Sequence, residues 1–179
     1  MSMCKLNIED IRNMVAECVN RIVENIDNGF NIFKEKFDTY LNEVINDASA
    51  FLQPYGLQII IDSNYNFRGK RWLAVYEARS GMIREGKIVI GINYQLLYTE
   101  MKNRGISDDD FNIKAQARIT FMHEVGHGIV DYLNSNGLAR ISSKKEEELV
   151  EEFGEYFFPE ATYVYESELI DTLEKIKNI

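Results

Sequence analysis

The sequence predicts an α+β domain, and three observations predict it. Apolar residues recur every three or four positions from Asn7 to Phe51, give way to short β-branched and aromatic runs between Leu57 and Asn93, and return to helical spacing from Tyr94 onward. Strands grouped together and followed by helices imply a small antiparallel or mixed sheet with helices on one side. At 179 residues the chain fits one domain, 1–179, divided into an N-terminal helical layer (1–55) and a core (56–179).

The first stretch, Asn7 to about Asp27, places Ile8, Ile11, Val15, Val19, Ile22, Val23 and Ile26 at amphipathic spacing, and Asn28-Gly29 is a helix stop. A second helix is expected from Asn31 to Phe51, with Ile32, Phe33, Phe37, Leu41, Val44, Ile45 and Ala48 inward, ended by Pro54-Tyr55-Gly56. The two form an N-terminal helical hairpin, read as a packing layer or a partner-binding element.

Leu57 to Ile61, Trp72 to Arg79 and Lys87 to Asn93 read as strands, separated by the turn residues Asp62-Ser63-Asn64, Ser80-Gly81 and Glu85-Gly86. Tyr94 to Asn103 is a short helix. Ser107 supplies an N-cap and Asp108 to Asp110 an acidic first turn for a long helix from Phe111 to Leu133. After a loop containing Asn136-Gly137, Ser143 and Glu146 make a capping box for a helix through Phe158, stopped by Pro159. A last helix runs from Ser167 to Lys177.

The chain carries 29 acidic against 20 basic residues, a net charge of -9 that disfavours a nucleic-acid backbone as partner. Arg68, Lys70 and Arg71 read as a solvated turn. No apolar run reaches the roughly 20 residues that span a bilayer, and the start of the chain lacks a basic segment followed by an apolar one. The expectation is a cytoplasmic protein with Cys4 and Cys18 as free thiols and no membrane partner.

The only two histidines stand four residues apart in His123-Glu124-Val125-Gly126-His127. Residues i and i+4 share one helical face, so both imidazoles can grip one ion, and an HExxH sequence is the spacing that does this for zinc, with the glutamate acting on water. Ile119, His123, His127 and Val130 share one face, while Phe121, Val125, Ile129 and Tyr132 share another, so the helix is expected to be central. Gly126 and Gly128 each cost a helix interior about 1 kcal/mol, which signals close approach of a neighbouring element. Catalytic zinc takes three protein ligands. With no third histidine, KEEELVEEFGEYFF supplies the candidates: Glu147 and Glu151 share one side, Glu148 and Glu152 another. Asp131, one turn beyond His127, could orient an imidazole through its second nitrogen.

On these residues the sequence resembles the zincin metallopeptidases of the gluzincin type, and is similar to small bacterial and phage metallopeptidases and lethal-factor-like proteases. The resemblance covers roughly Lys87 to Phe158 and departs from the pattern at Val150 and Glu152. It implies a zincin-like core in which the second helix completes a Zn2+ site. Glu147 is the ligand with Glu151 behind it if Phe153-Gly154 matches the family's Phe-Ala; Glu148 with Glu152 is the other register. It further implies hydrolysis of a peptide or protein by a zinc-activated water with Glu124 as general base, and an edge strand at 87–93 that pairs with an extended substrate. Tyr132, Tyr156, Tyr163 and Tyr165 are candidates for stabilising an oxyanion. Two alternatives remain: a catalytically inactive zincin-like binding module, and a di-iron carboxylate site, which would need a second Glu-x-x-His from another copy.

Overall fold

The computed structural model describes residues 8–68, 70–78, 80–157 and 167–177. Cys4, Pro159, Tyr163 and Tyr165 lie outside them. The fold is α+β and mostly helical, with a small mixed sheet of three strands.

One helix, α1 (Ile8–Leu52), replaces the expected hairpin. Asn28-Gly29 does not stop it, because a C-terminal glycine ends a helix only where the chain turns away. Gly29 serves instead as a point of close approach: a Cβ there would lie 2.7 Å from the Tyr98 hydroxyl. Beyond this point Phe33, Phe37, Leu41, Val44, Ala48 and Leu52 are buried at helical spacing, whereas Met14, Val15, Val19 and Val23 before it are half exposed or more. Pro54 then fixes a short 3-10 turn, Gln53–Tyr55, closed by Gly56 at φ 71°.

Strand β1 (Gln58–Ile61), strand β2 (Ala74–Tyr76) and strand β3 (Lys87–Ile92) fall inside the predicted runs, but in the order β1-β3-β2. β1 pairs with β3 in parallel, Gln58 opposite Lys87, and β2 pairs with β3 antiparallel, Val75 opposite Gly91. The expectation that residues 87–93 form an edge is therefore wrong. Ile88, Val89 and Ile90 are fully buried, as a strand flanked on both sides requires, and β2 is an edge in its place. Ser80-Gly81 is no turn; it opens a five-residue helix, α2 (Ser80–Arg84).

Helix α3 (Tyr94–Asn103) is capped by the Asn93 side chain, and the Tyr94 hydroxyl donates to Asp38 of α1 at 2.6 Å. The motif helix is α4 (Asp110–Ser135). Its N-cap is Asp109, which accepts from the Asn112 N–H at 2.8 Å, and not Ser107, whose hydroxyl bonds the Asp109 carboxylate. Ile113, Ala117, Phe121, Val125, Ile129 and Leu133 are buried along α4, which contacts α1, β2, β3 and helix α5 (Ser143–Tyr156). Helix α6 (Glu168–Lys177) packs Leu169 and Leu173 into the same core. Arg118, 14% exposed, ties the chain just after α5 to α4 by donating to the Phe157 carbonyl at 2.5 Å, with Asp47 of α1 beside it at 3.5 Å. Among the described residues no helix is long and apolar enough to cross a membrane.

Candidate metal centre

The two glycines flanking His127 set the depth at which α4 sits. At Gly128 a Cβ would overlap the Ile88 side chain of β3, and at Gly126 it would lie 3.1 Å from both γ carbons of Val150 on α5. Strand and helix thus approach α4 on two sides at the same level, which is the close approach the sequence implies. The consequence is that the first turns of α5 come within side-chain reach of the histidines.

His123 and His127 turn their Nε2 atoms toward each other at 3.2 Å. Glu147, near the start of α5, reaches the same point: its carboxylate oxygens lie 3.9 Å from His123 Nε2 and 3.8 Å from His127 Nε2. These three residues form a group that could hold a metal ion, one donor atom from each within 4.8 Å of the others. Tetrahedral zinc with bonds of about 2.0–2.2 Å separates its ligands by roughly 3.3–3.6 Å, so the imidazole pair stands close to the spacing of such an ion and the Glu147 carboxylate a few tenths of an ångström outside it. Two imidazole nitrogens and one carboxylate are donors of the right hardness for it.

Glu146, the preceding residue on α5, accepts from His127 Nδ1 at 2.7 Å. A carboxylate there selects the tautomer with hydrogen on Nδ1 and leaves the Nε2 lone pair facing His123 and Glu147. The expected capping box is absent for the same reason. α5 begins one residue after Ser142, whose hydroxyl accepts from the Lys145 N–H at 3.4 Å, and the Glu146 side chain goes to the histidine. Glu148, the alternative ligand, bonds Lys145 at 2.6 Å and stands outside the metal group. Glu151, expected behind Glu147, is exposed. Asp131 does not orient an imidazole: it accepts from the Tyr76 hydroxyl at 2.7 Å and from Ser135 at 3.2 Å.

Glu124 lies beside the histidines, and its Oε2 accepts from the Tyr76 backbone N–H of β2 at 2.5 Å. Burial pushes its carboxyl above the ordinary carboxylate range, opposed by that N–H and by the two imidazoles. Tyr76 therefore joins α4 twice, through its main chain to Glu124 and through its side chain to Asp131. The sequence offered only its place in a predicted strand. Of the tyrosines considered for an oxyanion, Tyr132 is half-buried in α4 and Tyr156 is exposed, its ring against Phe157.

His123, Glu124, His127, Glu146 and Glu147 line an open cleft of about 470 Å³, closed on its far side by Trp72, Ala74, Val75 and Tyr76. A half-buried carboxylate adjoining a nitrogen and oxygen donor set, in a cleft walled by an edge strand, can take up and deliver protons beside a bound ion. No protein-family model, curated protein or solved structure matches the chain.

Proposed function

We propose that the chain is a zinc-dependent metallopeptidase. The observation that carries this reading is the convergence of His123 Nε2, His127 Nε2 and the Glu147 carboxylate beside a half-buried Glu124 that is not itself among the three donors. Zinc, when bound, lowers the pKa of water to about 7 and polarises a carbonyl. Glu124 accepts the proton of the attacking water through the oxygen that Tyr76 leaves free, and later returns it to the departing amine. Burial raises its pKa, which makes its carboxylate a stronger base toward the attacking water.

The edge strand supports a peptide as substrate. Leu73 and Glu77 direct their main-chain groups to β3, the Leu73 carbonyl accepting from Asn93 N–H and the Glu77 N–H donating to Val89 O, each at 2.8 Å. Alternation along an antiparallel ladder turns those of Ala74 and Tyr76 the other way, toward the cleft. An extended chain can add there by main-chain hydrogen bonds.

Metal analysis and a fluorogenic peptide library test the reading together. Wild type should bind one zinc per chain and hydrolyse library members. Glu124→Gln should keep its zinc and lose about 10²–10⁴-fold in turnover, and His127→Ala should lose the metal. Undiminished hydrolysis by Glu124→Gln would remove Glu124 from the mechanism. Zinc bound without cleavage of any peptide would make the chain an idle scaffold, and an iron pair shared by two copies of the chain would favour the di-iron alternative.

A further inference from the structure

The chain's only tryptophan, Trp72, is 50% exposed although it lines the cleft with both histidines and Glu124. A half-exposed indole leaves a large apolar surface in water, and such surfaces beside a binding cleft supply much of the contact energy when a ligand covers them. This indole is braced. Its backbone carbonyl accepts from Asn93 Nδ2 at 3.2 Å, and the Lys70 ammonium sits 4.6 Å from its ring centroid. Lys70 is in turn held by the Tyr65 hydroxyl at 2.7 Å, and the Tyr65 ring packs on Phe67 with centroids 4.6 Å apart.

The register of β2 brings a substrate to the same place. Of the two residues whose main chains face the cleft, Tyr76 has its N–H committed to Glu124. Ala74 is then the position at which an extended peptide adds, two residues from Trp72 in the same cleft wall. Side chains alternate along such a peptide, so one of them meets the indole.

We infer that Trp72 is the wall of a substrate side-chain subsite that takes an aromatic or large aliphatic residue. The inference rests on the peptidase reading above. A basic side chain is disfavoured at this position because Lys70 already places a cation against the ring. Stacking of one ring on another contributes enough for roughly a tenfold preference over alanine.

The test uses the full-length, zinc-loaded chain and a set of peptides identical except for one residue, scanned along the sequence as Phe, Leu, Arg or Ala. Binding is read in the Glu124→Gln variant through indole emission, which reports Trp72 alone, and kcat/KM is read in wild type. The expected result is saturable emission change, with Phe and Leu favoured about tenfold over Ala and Arg at one position. Trp72→Ala should bring the Phe-to-Ala ratio of kcat/KM close to one through KM, and Trp72→Phe should restore most of it. Hydrolysis without emission change, or with a Phe-to-Ala ratio unaltered in Trp72→Ala, overturns the subsite and leaves the peptidase reading intact. Emission change with the same side-chain preference but no hydrolysis supports the subsite and removes the peptidase reading. Neither emission change nor hydrolysis overturns both.

Discussion

His127 is held from behind by Glu146 and faces the donor group in front, so its ring has one orientation and one tautomer without any help from the ion. Losing such a partner typically weakens metal binding about 10–100-fold. Glu146→Gln is expected to show a loss of that size in a zinc competition titration, while Glu151→Gln, on the exposed side of α5, leaves affinity unchanged. Equal effects of the two substitutions would mean that the Glu146 contact does not support the ligand. The histidines and Glu124 were legible from spacing alone, because an i, i+4 pair on a helix has only one relative geometry. Glu146 was not, since its direction depends on which serine begins α5, and Ser142 and Ser143 are equivalent as sequence.

At the scale of elements, α4 works as a spindle whose depth is set by the absence of two methyl groups. Gly128→Ala would push against Ile88 on a central strand with buried neighbours on either side, so overpacking should cost about 1–3 kcal/mol in urea unfolding. Gly154 on α5 meets nothing within 4 Å, and alanine there should stabilise by up to about 1 kcal/mol. Should both substitutions stabilise, α4 and β3 would not be in contact at the level described. The presence of three strands was readable from β-branched runs, but their order was not. Strand order follows from which edges are covered by the rest of the chain, and the buried run KIVIGIN looks the same in a central strand as at a shielded edge. Trp72 and Tyr76 entered the site for that reason: it is the pairing of β2, and not its composition, that sets them opposite α4.

Taken as a whole, the molecule has its helices and strands largely where hydrophobic periodicity predicts them, and its largest departure is at the N-terminal end. Asn-Gly is a strong stop signal locally, yet the helix runs through it because Tyr98 rests against the glycine and the buried stripe from Phe33 onward continues in phase. Local propensity decides an element only where tertiary packing is indifferent. Here 45 residues form one rod about 68 Å long, and among its described side chains those buried in the core all belong to the C-terminal part.

One rod with two environments should report two free energies. Amides after Phe30 can exchange with deuterium only when the packed body opens, whereas between Glu9 and Asn28 every described side chain is exposed, and a helix of about 20 residues left to itself is marginal in water. Hydrogen-exchange mass spectrometry should therefore divide α1 near Gly29, with rapid labelling before it and slow labelling after it. Uniform slow exchange along the whole rod would mean that its first turns are sheltered in solution by another surface.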